Sequence, residues 1–98
     1  MKYKHRSEHD RLCGLIVRAL GPAATIEKML GDPLGRHGYA DVFYTHSENA
    51  PPTIIEVKTR FEPNPVGGGI RQLQHYHALY NGPCNLWLAT GFELSADD

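Results

Sequence analysis

Apolar positions fall first into a helical pattern, then into strand-like runs, then into a second helix and a last apolar run. Leu12, Leu15, Ile16, Ala19 and Leu20 recur at the three- and four-residue spacing of an amphipathic helix. Ser7 before them suits an N-cap, with Asp10 three residues on as a capping-box partner. Gly21-Pro22 ends the pattern. Thr25 to Leu30 reads as a short strand, and Gly31, Asp32, Pro33, Gly35 and Gly38 mark turns. Tyr39 to Thr45 is rich in aromatic and β-branched residues, as is Thr53 to Lys58 with Ile54, Ile55 and Val57. Both read as strands, and the loop from Ser47 to Pro52 joins them into an antiparallel hairpin. Pro63, Pro65 and Gly67-Gly68-Gly69 predict a flexible connection. A helix is expected from Ile70 to Tyr80, with Ile70, Leu73, His77 and Tyr80 along one side. Asn81-Gly82-Pro83 stops it, and Cys84 to Thr90 closes the pattern as an apolar strand. The predicted order is α-β-β-β-α-β, one small α/β domain over residues 1–98, with no internal repeat.

Composition narrows the class. The 98 residues suffice for one domain, and an apolar content of 41% argues against disorder. No apolar run nears the roughly 18 residues that span a bilayer, so a soluble cytoplasmic protein without a membrane partner is expected. The two cysteines, Cys13 and Cys84, are too few for a disulfide framework or a four-cysteine cluster, and reduced thiols are expected. The net charge of −1 does not itself point to nucleic acid. Its distribution is uneven: Lys2, Lys4, Arg6, Arg11 and Arg18 crowd the start against Glu8 and Asp10, whereas Glu93, Asp97 and Asp98 lie in the tail. The basic segment suits phosphates, but on charge alone an ordinary solvated face is the simpler reading.

The chemistry concentrates in the hairpin. Glu56 and Lys58 are two apart on one strand and share a face; Asp41, on the other strand, faces them if the register allows. Two carboxylates suit a hard divalent cation, and a neighbouring ammonium can orient water and balance charge on a phosphate. The same residues also fit a cross-strand salt bridge on a solvated face. His5, His9 and Cys13 fall at i, i+4 and i+8, the spacing of part of a zinc site, yet a helix starting at Ser7 leaves His5 outside it.

Gly38-Tyr39-Ala40-Asp41-Val42-Phe43 followed by Ile54-Ile55-Glu56-Val57-Lys58 resembles the PD-(D/E)xK nuclease signature, with Ala40 in place of the leading proline. Gln72-Leu73-Gln74-His75-Tyr76 resembles the Q-x-x-x-Y motif of the RecB-like branch. Glu8 sits where many of these nucleases carry an extra acidic residue. The resemblance covers most of the chain and implies a restriction-endonuclease-like core with a mixed central sheet flanked by helices. It implies that Asp41, Glu56 and the backbone carbonyl of Val57 bind Mg²⁺ or Mn²⁺. Lys58 would act on the water and the scissile phosphate. Gln72 and Tyr76 would reach the site from the second helix, and Glu8 would hold a metal-bound water. For Tyr76 the alternative is packing on the sheet; for Glu8 it is a first-turn acid favoured by the helix dipole. Arg60, Arg71, His75 and His77 are available to phosphates. The activity implied is hydrolysis of DNA phosphodiester bonds in replication, recombination or repair, with RNA not excluded, by a phage-like or mobile-element-like enzyme that works as a homodimer. The rivals are a Holliday-junction-resolvase-like enzyme selective for branched DNA, and a non-catalytic nucleic-acid-binding module or subunit of the same fold.

Overall fold

The computed structural model describes residues 2–93, with side chains from Ser7 onward. Helix α1 (Lys2–Leu20) precedes strands β1 (Ala24–Gly31), β2 (His37–Tyr44) and β3 (Thr53–Lys58), helix α2 (Pro65–Tyr80) and strand β4 (Asn85–Thr90). The element order is the expected α-β-β-β-α-β. The four strands lie in the order β1-β2-β3-β4. The first three pair antiparallel and β4 runs parallel to β3, so the sheet is mixed. The parallel pair needs a crossover, which α2 supplies.

The two helices cover opposite faces. Ile54 packs in one core with Leu30, Ala40 and the α2 residues Leu73 and Tyr76. Ile55 and Val57 pack in the other with Val42 and Cys13, flanked by Leu12, Ile16, Val17 and Leu20 of α1. Successive residues of β3 therefore enter different cores. That is why this strand reads as a continuous apolar run rather than an alternating one. The edge strand β4 is less covered: Ala89 packs against the α1 core, but Trp87 stays 53% exposed. Both cysteines are free thiols, as expected. Among the described residues no helix is long and apolar enough to cross a membrane.

Three expectations need correction. First, α1 begins at Lys2, so Ser7 lies inside the helix and caps nothing, and Glu8 is not in the first turn. Lys2, Lys4 and Arg6 are good helix formers, and nothing in the sequence stops the helix from extending through them. Second, the buried side of α2 is Gly69, Leu73 and Tyr76, while Ile70 and His77 face outward, Ile70 being 47% exposed. Third, Gly67-Gly68-Gly69 is not a flexible connection or a hinge. These glycines form the first turns of α2, which opens with Pro65 in the first turn after a left-handed Asn64.

Close packing explains the glycine at position 69. A Cβ there would strike the Leu88 side chain and lie 3.3 Å from Cγ of Lys58, whereas one at Gly68 would meet nothing within 4 Å. Gly68→Ala should therefore stabilise the fold by about 0.5–1 kcal/mol, through lower backbone entropy in the unfolded chain. Gly69→Ala should destabilise it by about 1–3 kcal/mol, through overpacking against Leu88. Denaturant unfolding checks the pair; equal effects at both positions would rule out this account of the helix start.

Candidate active site

The register sets Asp41 beside β3. Strands β2 and β3 pair through Tyr44–Thr53, Phe43–Ile54 and Val42–Ile55, and the ladder stops there. Beyond it the Asp41 carboxylate takes over the role of a backbone acceptor: its Oδ2 accepts the Val57 N–H at 2.8 Å. Asp41 also interrupts the alternation of its own strand. Ala40 lies in the core under α2 and Val42 in the core under α1, although residues two apart normally share a face. The neighbouring strand breaks at the same level, where pairing passes from Ile26–Val42 to Lys28–Ala40 across Glu27, whose φ is +55°. A non-glycine residue in the left-handed region is uncommon, and here it marks a paired irregularity at the Asp41 level.

Three chemical groups meet at this point. Glu56 is buried, and its Oε1 has no hydrogen-bond partner. Lys58 Nζ stands 3.4 Å from Glu56 Oε2. Burial, then the Asp41 charge beside it, pushes the Glu56 carboxyl up to about 7, against the smaller opposing pull of Lys58. Burial also raises Asp41, but His9 and the Val57 N–H outweigh it and hold that carboxyl below its usual value. Burial lowers Lys58, but Glu62 and Glu56 more than compensate and keep its ammonium charged. The sequence expectation that Asp41, Glu56 and Lys58 cluster is thus met in the geometry. A solvated cross-strand salt bridge does not describe it, because Glu56 is nearly inaccessible.

The second helix also reaches the site. Tyr76 is only 3% exposed and donates its hydroxyl proton to the Tyr39 carbonyl at 2.6 Å. Gln72 Nε2 donates to the same hydroxyl at 2.9 Å. Burial raises the Tyr76 hydroxyl, and the charges of Glu56 and Asp41 raise it further. Tyr76 therefore packs on the sheet and borders the carboxylates at once. Gln72 meets the site through Tyr76. Val57 presents its N–H to Asp41 and its side chain to the α1 core.

Two residues that matter here were not expected at this site: the sequence placed His9 only in a zinc stripe, and Glu62 nowhere. Glu8 pairs with Arg11, whose Nε donates to Glu8 Oε2 at 3.2 Å; the next residue, His9, is the one that reaches Asp41. His9 Nε2 lies 3.2 Å from Asp41 Oδ2, and its Nδ1 lies 3.9 Å from Cys13 Sγ. The hydrogen bond to Asp41, then that to Cys13, pushes His9 up to about 11. His9 is thereby engaged with Asp41 rather than serving a zinc stripe, and the side chain of His5 lies outside those described. The second of these residues is Glu62, whose Oε1 accepts from Lys58 Nζ at 3.1 Å. Its only signal in the sequence is an acid four residues after the lysine.

A cavity of about 400 Å³ is lined by Ser7, Glu8, Thr59, Arg60, Phe61 and Gly91, so it adjoins Lys58 only along the chain and none of Asp41, Glu56 and Lys58 lines it; the Arg60 guanidinium lies 5.2 Å from the Phe61 ring centroid. A larger cleft of about 590 Å³ lies elsewhere, between β1 and the end of α2, and none of the three chemical residues lines it. Arg71, His75 and His77 are exposed on α2. Of the N-terminal basic residues, Lys2, Lys4 and Arg6 have side chains outside those described, as do Asp97 and Asp98 of the tail.

Among the described residues no three His, Cys, Asp or Glu side chains are already arranged as a metal cage. Asp41 and Glu56 nonetheless suit a hard cation: two adjacent carboxylates, one with an orphaned buried oxygen, are the donors such an ion prefers. No protein-family profile, curated protein or solved structure matches this chain.

Proposed function

We propose that this chain is a metal-dependent nuclease with a restriction-endonuclease-like core, hydrolysing DNA phosphodiester bonds. The observation that carries the reading is the buried, unpartnered Glu56 Oε1 beside Asp41, with the Lys58 ammonium against the same carboxylate. A buried acceptor without a donor is costly, and such sites usually serve a ligand or a reaction. Asp41, Glu56 and the Val57 carbonyl would hold Mg²⁺ or Mn²⁺. When bound, the ion would polarise the phosphate and acidify water. The residues of the chain do the rest. Lys58 donates hydrogen bonds to the attacking water and to the non-bridging phosphate oxygens. His9 fixes the Asp41 carboxylate from α1. Gln72 and Tyr76 pin α2 to β2 at the Tyr39 carbonyl and close the site from the other face. Arg60, which lines the neighbouring cavity, would meet a phosphate beside the scissile one.

The test is incubation with labelled single-stranded, duplex and four-way DNA, and with RNA, in Mg²⁺, Mn²⁺ or EDTA. Cleavage that requires the metal is the expected result, and the preferred substrate separates a general nuclease from a resolvase. Binding without cleavage of any substrate would favour the non-catalytic module.

A further inference from the structure

Lys58 is held by two carboxylates, and only one of them belongs to the motif that drew attention to it. Glu62, in the loop after β3, holds the other side of the ammonium at 3.1 Å, against 3.4 Å for Glu56. Glu62 is itself fixed. Its Oε2 accepts the Thr59 N–H at 2.8 Å, and its backbone N–H donates to the Thr59 carbonyl at 3.3 Å. The Glu62 side chain is 16% exposed and the Lys58 side chain 18%, so the contact is shielded from most solvent. A second lock keeps the turn in shape: the Phe61 N–H donates to Thr59 Oγ1 at 3.3 Å. The start of α2 runs close to the lysine stem, since a Cβ at position 69 would lie 3.3 Å from Lys58 Cγ. A four-carbon stem with several rotatable bonds would otherwise leave the ammonium free to swing away from the carboxylates.

We infer that Glu62 is a positioning residue, which clamps the Lys58 ammonium against Glu56 and so aims it at the phosphodiester reaction centre. The catalytic half of this inference rests on the nuclease reading, while the clamp itself does not. Both oxygens of Glu62 are used, one on Lys58 and one on the Thr59 N–H, so a glutamine, which carries one acceptor oxygen, cannot reproduce the arrangement. Misplacing a catalytic group by about 1 Å can cost about 10²-fold in rate. Substrate phosphates are gripped elsewhere, at Arg60 among others, so the loss should fall on turnover rather than on KM.

The experiment compares wild type, Glu62→Ala and Thr59→Ala. The Thr59 variant removes the Phe61 lock and leaves both Glu62 contacts in place. The first readout is the motion of the Lys58 ammonium in the metal-free protein, followed by side-chain ¹⁵N relaxation. Glu62→Ala should drop its order parameter below about 0.6, the range of flexible groups, while Thr59→Ala leaves it ordered. The second readout is cleavage: kcat should fall about 10- to 100-fold in Glu62→Ala, with KM within about twofold. An unchanged order parameter in Glu62→Ala, or an equal drop in Thr59→Ala, overturns the clamp whatever the activity. A loosened lysine with undiminished kcat overturns the positioning role. A wild type that cuts nothing while Lys58 loosens as described removes the nuclease reading and supports the clamp alone.

Discussion

Lys58→Ala should abolish cleavage while leaving the fold and most of the nucleic-acid affinity in place. The ammonium touches Glu56 and Glu62, and on the proposed nuclease reading it would stand where charge builds as water attacks the phosphate. An interaction made mainly in the transition state lowers kcat without a matching loss of ground-state binding. One preorganised contact of this kind is typically worth about 10²–10³ in rate. Binding should weaken only modestly, because on that reading phosphates would also meet the exposed Arg60 and Arg71. Arginine should substitute poorly, since its planar guanidinium neither fits the same contacts nor readily yields a proton. Cleavage and binding measured side by side on one DNA with Mn²⁺ decide the matter. A Lys58→Ala protein that cuts at the wild-type rate would remove the lysine from the mechanism.

Glu56→Gln should do two opposite things: stabilise the metal-free protein at pH 8 and destroy its metal binding. Glu56 has its folded pKa raised from 4.5 to about 7 by burial and the Asp41 charge. The folded state therefore keeps a proton that the unfolded chain gives up between those values. Stability from this group is full below about pH 4.5 and is lost as pH rises through 7. The displacement bounds that loss at roughly 3 kcal/mol. His9 acts in the same direction over a higher window, because its pKa is raised from 6.5 to about 11. Asp41 acts in the opposite direction: its lowered pKa contributes stability above its usual value and loses it in acid. A neutral glutamine at 56 removes the penalty and offers an N–H to Asp41, so a gain of about 1–3 kcal/mol at pH 8 is expected in EDTA. Mn²⁺ affinity should fall at least tenfold, about the smallest loss seen even for groups one step removed from a metal. Denaturant unfolding across pH and titration calorimetry test the two halves separately. A variant that binds Mn²⁺ like wild type would show that Glu56 is not a ligand.

Much of the molecule follows from local chemistry that a sequence displays. Thr53–Lys58 is a strand because its β-branched and apolar run suits a strand buried on both faces, and Glu56 and Lys58 share a face because strand side chains alternate. The order of the six elements is equally local, set by periodicity and by the Gly and Pro residues between them. The glycines of α2 mislead for a reason that lies in another strand. Gly67-Gly68-Gly69 has poor helix propensity, and the close approach of Leu88 and Lys58 that calls for a glycine at position 69 exists only once β4 lies beside β3.

The site divides along the same line. Asp41, Glu56 and Lys58 stand out in the sequence because charged residues interrupt strand-forming runs. The sequence did not tie His9 or Glu62 to this site, because one reads there as part of a metal stripe on a helix and the other as an ordinary loop acid until folding brings them to Asp41 and Lys58. The irregularity that turns Asp41 toward the Val57 N–H, at the level of the left-handed Glu27, depends on two strands breaking alternation together. The sequence by itself therefore determined the elements and the three charged residues of the motif, which depend on neighbours a few positions apart. Only the tertiary structure decided which groups hold those residues in place, because those contacts join α1 to β2, α2 to β2, and the loop after β3 back to its own lysine.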